Sequence, residues 1–151
     1  MLFDDVFAAL DPQPGEIAID CTLGAAGHAA ELLRRVGPTG KLVACDLDPG
    51  NLDGARPILD AIGHPYELHS TNFAGVAALV PEGADVVLAD LGVSSMQIDD
   101  PARGFSYMRD GPLDMRMDPT RGKTAAQHLV TSVTSPATFR AEVSHVRPEG
   151  L

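Results

Sequence analysis

The chain predicts an α/β fold in which a parallel sheet carries helices on its faces. Three observations lead there. Four short apolar runs alternate with segments of helical periodicity, the pattern of repeated strand-helix-strand units. Three of those runs end on an aspartate: Asp20, Asp46 and Asp90. The first run passes directly into a glycine-bearing turn, where open α/β sheets hold ligands beyond the carboxyl ends of their strands.

The strands are expected at 17–20, 42–46, 66–70 and 86–90. The last, with Val86, Val87, Leu88 and Ala89 in succession, reads as a fully buried parallel strand. Between strands, Ala29, Ala30, Leu32, Leu33 and Val36 recur at helical spacing over 27–36, and Gly37-Pro38 stops the helix. Pro49 suits a first helical position, and Leu52, Ala55, Ile58, Leu59 and Ile62 form the next apolar stripe. Shorter helices are expected at 73–80, 124–130 and 138–146. The connection from 91 to 123 exceeds the roughly 12 to 15 residues that a structureless connector normally reaches, so a binding role is expected for it.

At 151 residues with 44% hydrophobic content, one domain with one core is expected. The amino terminus carries acids where a secretion signal needs bases, and no run is long enough for a membrane span, so a cytoplasmic location is expected. Cys21 and Cys45 fall beside or inside inner strands and are expected to serve as packing thiols, with no metal site. A formal charge of −10 argues against non-specific nucleic-acid binding and, alone, favours a small-molecule enzyme. Against that, Arg103, Arg109, Arg116, Arg121 and Lys123 put five of eleven basic residues in one window, whose acids Asp110, Asp114 and Asp118 leave it at +2. Such a segment suits local contact with phosphates, or, on the plain alternative that the segment alone favours, it is a solvated loop with internal ion pairs.

The turn Leu23-Gly24-Ala25-Ala26-Gly27-His28 opens a helix, so its amides favour a negative group. A second glycine for close pyrophosphate contact is missing, so a carboxylate fits better than a diphosphate. Asp46, 22 residues after Gly24, matches the acid that binds ribose hydroxyls. Ribose without diphosphate suggests S-adenosylmethionine. Its carboxylate is expected at Ala26, Gly27 and His28, its ribose at Asp46, its adenine against Phe73, and its ammonium or adenine amine near Asp90. Each residue also has a plain structural reading, as a cap or as core; their joint placement at strand ends favours the ligand.

The run DLGVSSMQIDDPARGFSYMRDGPLDMRMDPTRG at 90–122, with IDCTLGAAGH at 19–28 and CDLDP at 45–49, closely resembles the bacterial small-subunit ribosomal RNA methyltransferase H family. The resemblance implies a Rossmann-like S-adenosylmethionine-dependent methyltransferase fold and methylation of the exocyclic amine of a cytidine in 16S ribosomal RNA. It implies donor contacts from Ala26, Gly27, His28, Asp46, Phe73, Asp90 and Gln97, the last reached only through the resemblance. Two departures stand out: alanine where the family's turn has glycine, and Met96 where proline is usual. Family members are longer. A truncated chain, incomplete at its carboxyl end, is therefore expected, with 1–99 as donor-binding part and 100–151 as substrate loop and start of a helical insertion.

For the chemistry, Asp90 is the expected proton acceptor, with Asp114 or Asp118 as substitutes unless arginines claim them. Phe105 or Tyr107 offers a face for an unstacked base, and Arg103, Arg109 and Arg116 are expected at phosphates or the cytosine carbonyl. Two other readings stay open: a nucleotide- or dinucleotide-binding α/β enzyme, and a non-catalytic truncated binding module.

Overall fold

Four parallel strands run β1 (Ile17–Asp20), β2 (Lys41–Asp46), β3 (Tyr66–Ser70) and β4 (Val86–Leu88), in the spatial order β3-β2-β1-β4. The computed structural model describes residues 3–132; the helix expected at 138–146 lies outside them. From β1 the chain steps to β2 and β3 on one side, then returns to place β4 on the other. The order therefore reverses between β1 and β4, and the crevice at their carboxyl ends is where such sheets bind ligands.

One face of the sheet, presenting Ala18, Leu42, Ala44, Val86 and Leu88, packs on three helices: α1 (Phe3–Leu10), α2 (Gly27–Val36) and α3 (Pro49–Asp60). Leu32, Leu33, Val36, Leu52, Ala55 and Leu59 fill that layer, the stripes expected from periodicity. Pro49 stands at the start of α3, where Asp48 caps the helix by accepting a hydrogen bond from the Gly50 N–H at 3.0 Å. On the opposite face, Ile19, Cys21 and Val43 meet Val76, Leu79 and Val80. The segment 73–80, expected as a helix, supplies that cover, with Phe73–Ala78 wound as a 3₁₀ helix. Both cysteines are free and buried, as expected of packing thiols, and burial pushes Cys45 up to about 12.

Two expectations need correction. Helix α1 was not anticipated, because Val6, Phe7 and Leu10 give too short a periodic signal; its Phe7 is buried in the core. The fourth strand stops at Leu88 and is not buried on both faces, since Val87 is 53% exposed and Asp90 lies beyond the strand. As the edge strand, β4 is covered on the Val86 and Leu88 side; the 3₁₀ segment, packed over β1 and β2, covers the other side of those strands instead.

The chain divides into two compact units between Ser94 and Ser95. In the second, the stretch expected as a long loop contains α4 (Ser95–Asp99) and a 3₁₀ turn, Pro101–Arg103, before α5 (Ala125–Ser132). Thr124 and Gln127 form a reciprocal cap at the start of α5: each side chain accepts from the other's backbone N–H, at 3.1 and 3.0 Å. The intervening chain folds tightly on itself. A Cβ on Gly104 would fall on the Pro112 carbonyl, and one on Gly111 on the Pro101 carbonyl. No helix among the described residues is long and apolar enough to cross a membrane.

Candidate functional site

At the carboxyl end of β1, Asp20 is buried, with Oδ1 accepting from the Thr22 N–H at 2.9 Å and Oδ2 left without a partner among the described residues. Burial raises its pKa from 3.8 to about 6, only partly opposed by the Thr22 N–H and by nearby His28. His28 is the second residue of α2. Its ring stacks on Phe3 at 5.2 Å and approaches Phe7 at 6.0 Å, and its buried Nε2 also lacks a partner among the described residues. Two such atoms call for a polar partner, a ligand group or an ordered water, since leaving each unsatisfied costs about 1 to 3 kcal/mol.

Between Asp20 and His28 the chain turns through Gly24 at φ +49° and Ala26 at φ +62°. Ala26 is the cap residue of α2 but provides no side-chain hydrogen bond, so the first-turn N–H groups of a ten-residue helix lack a side-chain cap at that position. An added Cβ at Gly27 meets nothing within 4 Å, consistent with open space beside the turn. The extra methyl of Ala26 is fully buried among the core side chains, so it does not stand out into that space.

Asp46, the last residue of β2, is tied into this turn. Its Oδ2 accepts from the Gly24 N–H at 2.9 Å and from the Asn51 amide at 3.0 Å, and its Oδ1 accepts from the Asp48 N–H at 2.8 Å. Thus the residues at 24–28 and Asp46, paired by sequence reasoning, stand in one place. Asp90 joins them through its backbone, whose N–H donates to Thr22 Oγ1 at 2.8 Å; its side chain is exposed. Phe73 opens the 3₁₀ segment after β3 with half its surface free, and no ring contact involves it among the described residues. Sequence reasoning noted Asp20 as a strand-end acid but assigned it no ligand contact, and it did not single out Thr22 or Asn51 as site residues. An acid closing an otherwise apolar strand was the available signal for Asp20; nothing in the sequence marked Asn51.

In the second unit Gln97 is buried, its amide 3.8 Å from Met117 Sδ. The arginines expected at RNA are engaged in the fold. Arg103 donates to the carbonyls of Arg116 and Met117 at 3.0 and 2.9 Å, and Arg109 to the Asp99 carbonyl at 2.9 Å. Arg116 grips Asp114 through two bonds of 2.8 and 2.7 Å, which hold the Asp114 carboxyl down at about 2. Asp118 is lowered chiefly by the Thr120 hydroxyl and N–H, with Arg121 at 2.5 Å adding to it. Both carboxylates are thus weak bases, and the arginine claim foreseen for each is met. The two aromatic candidates differ: Phe105 is half-buried with the Arg103 guanidinium 5.9 Å from its ring, whereas Tyr107 is 94% exposed.

The model of the MraW methylase family matches residues 1–137. The chain belongs to the MraW methylase family. Among curated relatives, this family member is 46% identical over 133 residues to a protein of Burkholderia vietnamiensis called ribosomal RNA small subunit methyltransferase H, covering 85% of this chain and 42% of that protein. A protein of the same name from Paracidovorax citrulli is 45% identical over 129 residues, with 85% and 40% covered. The chain thus spans about two fifths of the length of these relatives. Among solved structures, the C-terminal domain of precorrin-6Y C5,15-methyltransferase from Rhodobacter capsulatus aligns with a TM-score of 0.53 at 18% identity, over 63% of this chain and 50% of that one. That likeness, with the parallel sheet and its flanking helices, is one of fold: the Rossmann-like fold found in methyltransferases.

Proposed function

We propose that this chain binds S-adenosylmethionine and serves methyl transfer to the exocyclic amine of a cytidine in small-subunit ribosomal RNA. The observation that carries the donor is the bond from the Gly24 N–H to Asp46, which sets a hydroxyl acceptor beside a helix amino terminus that has no side-chain cap. The substrate rests on the names of the relatives, which are ribosomal RNA methyltransferases. In this reading residues 1–99 hold the donor, 100–151 begin the RNA-facing part, and the working place is the cytoplasm.

The residues present fit such a donor. The first-turn amides at Gly27 and His28 suit its carboxylate. The orphaned Asp20 Oδ2 suits its ammonium, a pairing that would draw the Asp20 carboxyl back down from its raised value. Asp46 takes a ribose hydroxyl, and Phe73 offers an aromatic face to adenine. Gln97 is assigned to the donor by the resemblance. When bound, the donor supplies an electrophilic methyl, which the amine nitrogen attacks as the carbon–sulfur bond breaks.

For the protein the task is alignment and proton removal. An aromatic amine is a weak nucleophile, and the nitrogen must shed a proton as it is methylated. The exposed Asp90 carboxylate, with its backbone anchored to Thr22, is the acceptor. Asp114 and Asp118, committed to arginine and threonine, support the loop that presents the RNA. Arg103, Arg109 and Arg116 shape that loop, and Tyr107 is its stacking face, with Phe105 supporting the fold beside Arg103.

Calorimetric titration with S-adenosylhomocysteine and with nicotinamide dinucleotides tests the donor. Binding of the first and not the second is expected; the reverse refutes the proposal in favour of a dinucleotide enzyme. Transfer of labelled methyl to small ribosomal subunits, followed by nucleoside analysis, tests the substrate. N4-methylcytidine is the expected product, and label on another nucleoside refutes it.

A further inference from the structure

Asn51 is a buried polar residue on the first turn of a helix whose other inward positions, Leu52, Ala55 and Leu59, are apolar. Its side chain does not serve the helix. The amide Nδ2 reaches back to Asp46 Oδ2 at 3.0 Å, outside α3 and at the end of β2. A carboxylate has about four acceptor positions, two on each oxygen. Here Oδ2 is filled by Asn51 and by the Gly24 N–H, and Oδ1 holds the Asp48 N–H, which leaves one position on Oδ1 among the described residues.

We propose that Asn51 is a positioning residue for donor recognition: it locks the Asp46 carboxylate so that the single free acceptor position on Oδ1 meets one ribose hydroxyl. This rests on the reading of Asp46 as the ribose acceptor. Without the amide, the carboxylate keeps one backbone bond on each oxygen, from Gly24 and from Asp48, but Oδ2 gains a second open acceptor position, so the group is held less firmly and no longer offers a single position to the sugar. Asn51 itself touches no part of the donor. Its effect is carried by Asp46 alone, and it predicts a recognition asymmetry between the two hydroxyls, because one acceptor position cannot serve both.

The test is calorimetric binding of S-adenosylhomocysteine and its 2′-deoxy and 3′-deoxy analogues to the wild-type chain, Asn51→Leu, Asn51→Ser and Asn51→Gln. The wild type is expected to lose about tenfold or more in affinity for one deoxy analogue and less than about threefold for the other. Asn51→Leu is expected to bind the parent compound roughly tenfold more weakly, while the contrast between parent and deoxy analogue shrinks to near unity. Asn51→Ser, too short to reach Asp46, repeats that result should the leucine variant fail to fold, and Asn51→Gln, which keeps a donor, restores much of the contrast. Equal weakening of all three ligands in the folded variants assigns Asn51 a purely structural role and overturns the inference, as does an unchanged contrast. A wild-type chain that binds S-adenosylhomocysteine but treats both hydroxyls alike overturns the inference and leaves the donor assignment standing. No binding by the wild type overturns both.

Discussion

Replacing Asp20 by asparagine separates the cost of a buried carboxylate from its use. Asp20 Oδ2 has no partner among the described residues, and burial lifts the group from 3.8 to about 6. The difference is roughly two units, and at about 1.4 kcal/mol per unit it amounts to about 3 kcal/mol. Its sign follows from proton counting. Between pH 3.8 and about 6 the folded chain holds a proton that the unfolded chain has lost, so stability falls as pH rises through that window. Below it the penalty is absent; above it the penalty is complete. Asparagine never ionises. The stability of Asp20→Asn relative to wild type should therefore rise by about 3 kcal/mol from below pH 4 to pH 7. Urea unfolding followed by far-ultraviolet circular dichroism measures it, since the chain has no tryptophan. Taking the difference between the two proteins at each pH cancels the titration of every group that is not coupled to Asp20, His28 and Asp46 being the coupled ones. A difference that stays flat across the window, or that changes in the opposite direction, refutes the argument.

Two further outcomes are expected. Gly111→Ala drives a methyl against the Pro101 carbonyl, so amide exchange across 101–118 should speed up by an amount equal to about 1 to 3 kcal/mol of local stability, while exchange in β1 and β2 stays as in the wild type. In protein competent for transfer, Asp90→Ala should reduce methyl incorporation by roughly a hundredfold or more while S-adenosylhomocysteine affinity, read by calorimetry, changes by less than about tenfold; retained turnover removes Asp90 as proton acceptor.

Much of the first unit was legible because burial there follows simple periods. The stripe Ala29, Leu32, Leu33, Val36 reports one packed helix face, and the strands β1 and β2 are buried on both sides and read as unbroken apolar runs. The same reasoning overreached at β4, whose composition resembles an inner strand although Val87 faces outward at an edge. Composition does not record what lies opposite a strand. In the second unit, the pairing of Arg116 and Arg121 with nearby acids was legible, and the engagement of Arg103 and Arg109 was not. Arg103 and Arg109 end on backbone carbonyls, and a carbonyl carries no residue identity for a sequence pattern to detect. Asp46 and Gly24 could be paired by their spacing, but the atom that steadies them, the Asn51 amide, arises from a helix turn five residues on and follows no motif.

Ala26 adopts a backbone conformation that costs an alanine about 1 to 2 kcal/mol, while its methyl is sealed beneath the turn. The two effects oppose each other in energy but agree in geometry. Flattening the turn to relieve the torsion would pull the methyl out of its socket, and an alanine has fewer escape routes than a glycine. If this turn holds the donor as proposed, its shape is set before any ligand arrives, and binding need not spend affinity on shaping it.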